Sequence, residues 1–143
     1  MTSSSETKRL SILWVNCRLL HPLNGGDRIR TYNMLKELKR RHHLTYLCLR
    51  TPEDANDAVI QAREFCDEVI AVPHPQTSRK SLSFYCGVLR NTLSGKYPYI
   101  AQKYFSKETV DQLRGCISSR PLDLIVCDYL APMINLLALG KKP

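Results

Sequence analysis

Four short apolar runs divide this chain, and the segments between them carry helix patterns. The runs are residues 10–16, 44–49, 68–72 and 122–127. Apolar residues fill most positions of each run without polar alternation, which is typical of strands buried on both faces of a parallel sheet. The order of strands and helices therefore predicts an α/β fold: a doubly wound, Rossmann-like parallel sheet of about four strands, in the order 3-2-1-4, with helices on both faces.

The segments between the runs have the apolar spacing of amphipathic helices. The first predicted helix covers residues 27–42, and the second begins at Thr51, where proline and two acids follow a capping hydroxyl. A third helix is predicted over residues 81–93, Ser106 is expected to cap a fourth, and a last helix starts at Ala131. The inward positions predicted for the first helix are Ile29, Tyr32, Leu35 and Leu38.

Length and composition indicate one globular domain. The 143 residues are 43% hydrophobic and 24% charged, which is enough for one core and too little for two. We expect residues 1–9 to be a disordered tail and residues 10–143 to form the domain. No apolar run approaches the ~20 residues of a membrane span, and no apolar signal segment follows the start, so a cytoplasmic location is predicted.

The six cysteines are dispersed, with no C-x-x-C pair and no nearby C-x-x-H. Two of them, Cys48 and Cys127, lie inside apolar runs, where cysteine behaves as a small hydrophobe. We therefore expect six reduced thiols, no disulfide scaffold and no structural zinc or other metal site.

The charge balance predicts an anionic partner. Twenty-one Lys and Arg residues face 13 Asp and Glu residues, a net charge of +8. A nucleic acid, an acidic membrane surface and a phosphorylated ligand would all fit, although no nucleic-acid-binding motif is present, which makes the first unlikely. The basic residues at the end of the first helix either compensate its dipole or contact anionic lipid headgroups: Lys36, Lys39, Arg40 and Arg41.

The predicted topology places a ligand site where the first and fourth strands end. The loop of residues 17–27 and residues 128–132 should meet there. Gly25 and Gly26 stand at a helix start, where a phosphate could approach the backbone, and Arg28 and Arg30 would add positive charge. The alternative is a tight turn that only leads the chain into the helix.

Two titratable residues fall in the same region. His21 could contact an acceptor hydroxyl or act as a base, or it could be an ordinary polar loop residue. Asp128 could orient a hydroxyl or cap the following turn. The G-x-G-x-x-G fingerprint and the P-loop are both absent, so nicotinamide chemistry is not expected.

Residues 11–49, SILWVNCRLLHPLNGGDRIRTYNMLKELKRRHHLTYLCL, resemble the amino-terminal half of family-four-type GT-B glycosyltransferases. The order strand, P-x-x-G-G/D-x-R, helix, H-x-V/L, strand is similar to that of exopolysaccharide sugar transferases. The segments PYIAQKYFSKETVDQLRG and PLDLIVCDYLAPM are similar to the later helix and fourth strand of that family. The resemblance covers about residues 10–139.

The resemblance implies a retaining transfer of sugar from a nucleotide-diphosphate donor, such as a UDP- or GDP-sugar, to a glycan or lipid-linked acceptor. It places Gly25, Gly26 and Arg28 near the donor diphosphate, and His21, Asp128 and Tyr129 on the acceptor side. It assigns no catalytic residue, because many relatives carry a histidine where this chain has Asp128 and Tyr129. No metal and no cofactor are expected, since the nucleotide sugar is a substrate, and the location is expected to be peripheral to the inner face of the membrane.

GT-B enzymes have two Rossmann-like domains, and only the first is similar to this chain. We therefore expect a truncated product, a fragment or one half of a split enzyme, which is inactive without a C-terminal-half polypeptide. The fourth strand would then be an exposed apolar edge. The alternative is a non-catalytic, Rossmann-like module that binds a partner.

Overall fold

A four-stranded parallel sheet forms the centre of the fold. The computed structural model describes residues 8–74, 86, 89 and 102–140. Its strands are β1 (Ser11–Asn16), β2 (His43–Arg50), β3 (Glu68–Pro73) and β4 (Leu124–Cys127). All neighbours are parallel, in the order β3-β2-β1-β4. The predicted α/β class and the strand order 3-2-1-4 are confirmed.

Among the described residues, helices lie in the connections between the strands, and a further helix follows β4. They are α1 (Gly26–Lys39), α2 (Ala58–Gln61) with a 3₁₀ turn over Ala62–Glu64, α3 (Lys107–Ser119) and α4 (Met133–Leu137). Apart from residues 86 and 89, the helix predicted over 81–93 lies outside the described residues, as do residues 1–7 of the predicted tail. None of the helices in the described ranges has the length and apolar character that a membrane crossing requires.

The helix predicted to begin at Thr51 starts later. The backbone N–H and the hydroxyl of Thr51 both donate to the carboxylate of Asp54, at 2.6 and 3.1 Å. These bonds close a local turn, so the first helical residue is Ala58 and the prediction was wrong. Its apolar stripe still packs inward, because Ala58, Ala62 and Phe65 are almost fully buried.

Two apolar layers, one on each face of the sheet, form the core. In β1 the side chains alternate, so that Ile12 and Trp14 join the layer beneath α1 and α2, while Leu13 and Val15 join the layer beneath α3. Burial of each large side chain contributes roughly 1.5–3 kcal/mol, which explains why the strands are apolar at nearly every position. Parallel strands covered on both sides need this pattern.

The inward face of α1 differs from the predicted one. Leu35 is fully buried, but Ile29 is 43% exposed and Thr31 is buried in its place. The spacing from 31 to 35 is one helical turn, so both side chains point to the same face. Thr31 is tolerated inside because its hydroxyl donates to the carboxylate of Asp128 at 2.8 Å.

The start of α3 is capped as predicted. The Ser106 hydroxyl accepts a hydrogen bond from the Thr109 backbone N–H at 3.3 Å. The Ser106 backbone N–H donates to the side-chain oxygen of the buried Asn135, whose amide donates to the carbonyl of Tyr104 at 2.8 Å. Asn135 therefore joins α4 to the segment that precedes α3.

We expect Ser106→Ala to lower the free energy of unfolding by about 1 kcal/mol, because the first turn of α3 loses its side-chain cap. Urea denaturation followed by circular dichroism measures this difference. The matched control is Ser118→Ala, an exposed position inside the same helix. Equal stabilities of the Ser106 and Ser118 variants would show that the cap contributes nothing.

A bidentate ion pair joins Arg120, which follows α3, to Glu68, which begins β3. The Arg120 guanidinium contacts Glu68 through Nη1 and Oε1 at 2.8 Å and through Nη2 and Oε2 at 2.5 Å. His43 also approaches Glu68, with 3.7 Å between Nε2 and Oε1. The hydrogen bond from Arg120 is the main reason that the pKa of Glu68 lies below its ordinary value of 4.5.

We expect Glu68→Gln to lower the free energy of unfolding at pH 7 by about 0.5–1 kcal/mol, a small value because the carboxylate is half exposed and screened by water. A carboxyl group with a depressed pKa in the folded state stabilises the fold above its unfolded pKa and loses that contribution as pH falls through the folded pKa. The difference between wild type and variant should therefore vanish as pH falls below about 4.5. Urea denaturation from pH 7 to pH 3, with Glu53→Gln as control, measures it; a constant difference would contradict the assignment.

Candidate functional site

The candidate site lies where β1 and β4 end, side by side in the sheet. From β1 the chain enters the loop that leads to α1, and from β4 it enters the turn that leads to α4. In the sheet, β1 lies between β2 and β4. The chain continues from β1 to β2 on one side, and β4 pairs with β1 on the other side. This is the topological switch point at which parallel α/β sheets bind ligands.

Asp128 is the centre of the site. Its side chain is 9% exposed, and its backbone N–H donates to the carbonyl of Val15 at 2.9 Å. Its carboxylate accepts from Thr31 Oγ1 at 2.8 Å, from Asn16 Nδ2 at 3.3 Å and from Arg30 Nη2 at 3.2 Å. A buried carboxylate requires such partners, and here they connect the end of β1, the end of β4 and α1. The two roles predicted for Asp128, orienting a ligand hydroxyl and capping the following turn, stay predictions.

Tyr129 follows in a conformation that non-glycine residues rarely adopt, with φ at +76°. Such a backbone costs on the order of 1 kcal/mol or more and persists only where other contacts hold it. The Tyr129 hydroxyl donates to Asp27 Oδ2 at 3.4 Å. The guanidinium carbons of Arg18 and Arg30 lie 5.7 and 5.8 Å from the centre of the Tyr129 ring, within the range of cation–π attraction.

Asp27 occupies the start of α1. It forms an ion pair with Arg18 at 3.3 Å. A hydrogen bond from the Arg28 backbone N–H is the main reason that the pKa of Asp27 lies below its ordinary value. The α1 N-terminus therefore already has a carboxylate beside it.

Gly25 and Gly26 differ in the space around them. A Cβ atom at Gly25 would lie 2.7 Å from the side-chain oxygen Oδ1 of Asp27, whereas one at Gly26 would meet nothing within 4 Å. A side chain at Gly25 would therefore displace the Asp27 carboxylate from its present position. Arg28 turns back to the loop, where its Nη1 donates to the carbonyl of Pro22 at 3.0 Å. The approach of a diphosphate to these residues stays a prediction.

His21 lies in an aromatic cluster. Its ring stacks against Phe65 at 6.1 Å between centroids and meets Tyr32 edge-on at 5.7 Å. Its Nε2 is 4.0 Å from the carboxylate of Glu64, and the side chain is only 13% exposed. Its contacts are with α1 and the 3₁₀ turn. The structure therefore brings together Asp128, Tyr129 and Arg30, but gives His21 a different set of neighbours.

Two contributors to the site were missed by the sequence reasoning, Asn16 and Thr31, whereas Arg18 lies in the loop of residues 17–27 that the topology places there. Asn16 is the polar last residue of an apolar strand, and it is buried. Thr31 is a polar residue on the inward face of an amphipathic helix. Both are local signals of a buried hydrogen-bonding group, because a polar side chain among apolar neighbours needs a partner.

Burial disfavours the reactive thiolate form of Cys17, Cys66 and Cys127 by raising the pKa of each. All six cysteines are free, and burial raises the pKa of Cys66 to about 12 and that of Cys127 to about 11. Burial also raises the pKa of Cys17, beside the site. These groups are protonated near neutral pH and are poor nucleophiles. Within the described ranges, no group of three or more His, Cys, Asp or Glu side chains could hold a metal ion.

The basic residues at the end of α1 already have partners within the fold. Lys39 Nζ donates to the carbonyl of Arg63 at 2.5 Å, and Lys36 Nζ donates to the hydroxyl of Tyr32 at 3.3 Å. Arg40 and Arg41 form ion pairs with Glu37. These contacts are compatible with both predicted roles of the group.

Comparison with protein-family models, with curated proteins and with solved structures finds no match to this chain. The switch point carries two accessible cations. There, Arg18 and Arg30 are 41% and 59% exposed, and each is held on one side by a carboxylate. Two oriented and accessible guanidinium groups beside a phenol can bind an anionic, hydroxyl-bearing ligand.

We expect Asp128→Ala to lower the free energy of unfolding by about 2–4 kcal/mol, because the buried Thr31 hydroxyl and Asn16 amide lose their acceptor. Urea denaturation measures the loss. Asp111→Ala is the matched control, since its carboxylate is 56% exposed and forms an ion pair with Arg114 on the same helix; it should change stability by less than about 0.5 kcal/mol. A similar loss in both variants would contradict the anchoring role.

Proposed function

We propose that this chain is the acceptor-side domain of a GT-B-type glycosyltransferase. In the complete enzyme it acts on a UDP- or GDP-sugar and on a glycan or lipid-linked acceptor, at the cytoplasmic face of a membrane. The observation that carries the proposal is the buried Asp128, which holds Arg30 and the turn of Tyr129 at the topological switch point of a 3-2-1-4 sheet. The sequence resemblance to this enzyme class supports it.

The two arginines suit a diphosphate. A guanidinium carries five N–H donors in a planar fork that matches phosphate oxygens. Arg30 uses one nitrogen for Asp128, and Arg18 uses one for Asp27, so each keeps donors for a ligand. The open space at Gly26 would let a phosphate come close to the backbone of the same helix start.

Asp128 acts as a positioning residue in this proposal. Its oxygens accept three hydrogen bonds in a buried setting, so it is committed to holding Arg30, Thr31 and Asn16 rather than to removing a proton from a substrate. The acceptor hydroxyl would lie near Tyr129, whose ring is beside both guanidinium groups. No catalytic base is assigned.

Sugar transfer needs a second Rossmann-like domain. The leaving nucleotide diphosphate must be positioned and its developing charge stabilised, and the two arginines meet only part of that need. The second domain, in the same or another polypeptide, would supply the remaining contacts to the nucleotide.

We expect UDP or GDP to bind with contacts at the switch point, and Arg18→Gln to weaken this binding about tenfold or more, because a hydrogen bond from a charged donor contributes roughly 1.5–3 kcal/mol. Isothermal titration gives the affinity, and amide chemical shifts of Cys17, Gly26 and Tyr129 locate the ligand. Arg114→Gln, with the same charge change on α3, should bind as wild type does. Release of nucleotide diphosphate should occur only when the second domain is supplied.

Failure of both nucleotides to shift these amides would overturn the proposal. It would favour the alternative, a module that binds a partner. Among the described strands, β4 pairs only with β1. Two of its apolar residues, Leu124 and Ile125, are 46% and 38% exposed. Partly exposed apolar edge strands invite pairing with another chain. Sedimentation at increasing concentration would then report self-association through this edge.

A further inference from the structure

The charges of the chain are distributed unevenly. Between Glu68 and Glu108 there is no acidic residue, and this is the longest acid-free stretch of the sequence. Residues 69–107 contain six cations: Arg79, Lys80, Arg90, Lys96, Lys103 and Lys107. A stretch with a formal charge of +6 favours an anionic ligand near the elements that flank it.

A cleft lies where this stretch leaves the sheet. It has a volume of about 410 Å³ and is lined by Arg50, Thr51, Pro52, Pro73 and His74. Arg50 ends β2, Pro73 ends β3, and the two residues are paired in the sheet register. The cleft therefore opens at the same edge of the sheet as the switch point, but beside different strands and with none of its residues.

Arg50 supplies a positive charge that no acid neutralises within the described residues. Its Nη2 donates to the amide oxygen of Asn56 at 3.2 Å, and it forms no ion pair in the described ranges. Arg18 and Arg30 differ, because each faces a carboxylate. A guanidinium held by a neutral amide keeps its full charge for an anion.

His74 supplies a fixed ring. Its backbone N–H donates to the carbonyl of Arg50 at 2.7 Å, and its Nε2 lies 2.9 Å from the carbonyl of Lys103. The carbonyl can only accept, so Nε2 carries the proton, and in the neutral ring Nδ1 is an acceptor. The imidazole also stacks on Tyr104, at 6.5 Å and 13° between planes. Together with the two prolines it gives the cleft rigid, flat and largely apolar walls.

We propose that this cleft binds a phosphorylated ring compound, either a sugar phosphate or a nucleoside monophosphate. The phosphate contacts Arg50, and the ring lies against Pro52, Pro73 and His74. The volume is within the usual range for small-ligand sites, and the pairing of one cation with apolar walls is their usual composition. The site is separate from the switch point, so the proposal stands whether or not the chain belongs to a glycosyltransferase.

The test is a titration of the whole chain with glucose 1-phosphate, UMP and inorganic phosphate, followed by calorimetry and amide chemical shifts. We expect at least one of the two ring phosphates to bind more tightly than inorganic phosphate and to shift the amides of Arg50, Thr51 and His74. The two ring phosphates distinguish the sugar source from the nucleotide source. Arg50→Gln should weaken binding tenfold or more, and Arg50→Lys should restore part of it.

Two matched variants distinguish binding at this cleft from attraction to the overall positive charge of the chain. Arg40→Gln removes the same charge from the end of α1, and Arg114→Gln removes it from α3; neither should change the affinity. His74→Ala should reduce the preference for a ring phosphate over inorganic phosphate. The first expectation follows because neither arginine lines the cleft, and the second because His74 does.

Several results would overturn the proposal. These are the absence of binding by both ring phosphates, equal affinity for inorganic phosphate, or an unchanged affinity in Arg50→Gln. Chemical shifts at Cys17 and Tyr129 instead of the cleft would assign the ligand to the switch point. A single-stranded oligonucleotide that binds more than tenfold tighter than UMP, with a steep salt dependence, would assign the basic stretch to nucleic acid.

Discussion

The buried carboxylate of Asp128 is the interaction on which the switch point depends. Removing a carboxylate from water is unfavourable unless donors surround it, and here Thr31, Asn16 and Arg30 do so. The same bonds explain a polar residue in the buried face of α1 and another at the end of β1. The neighbouring Tyr129, in its left-handed backbone conformation, contacts Asp27, Arg18 and Arg30. One group thus orders two loops and one helix.

Much of the fold follows from local features of the sequence. Each strand lies within two residues of its apolar run at either end, because a sheet covered on both faces leaves little room for polar residues. The strand order follows from right-handed connections between parallel strands. The exception is the segment after β2, where Asp54 takes the donors of Thr51 and delays the helix to Ala58. The Asp54 side chain competes for the donors of Thr51 and so determines where the helix begins.

The site was predictable in position but not in its contacts. Topology alone places Gly25, Gly26, Asp128 and Tyr129 at the ends of β1 and β4. The contacts of Asp128 with Thr31 and Asn16 join residues 97 and 112 positions apart, so no spacing rule indicates them. The aromatic surroundings of His21 likewise depend on how α1 and the 3₁₀ turn pack over the sheet.

The Asp27 carboxylate beside the start of α1 affects how strongly an anionic ligand can bind at this edge of the sheet. The switch point has two arginines and two aspartates, whose formal charges balance. An arriving phosphate would compete with Asp27 for the donors of Arg18 and of the helix start. Its affinity would then be the difference between two anion interactions, one internal and one external. Such a site discriminates by the number and geometry of the ligand's oxygens more than by its total charge.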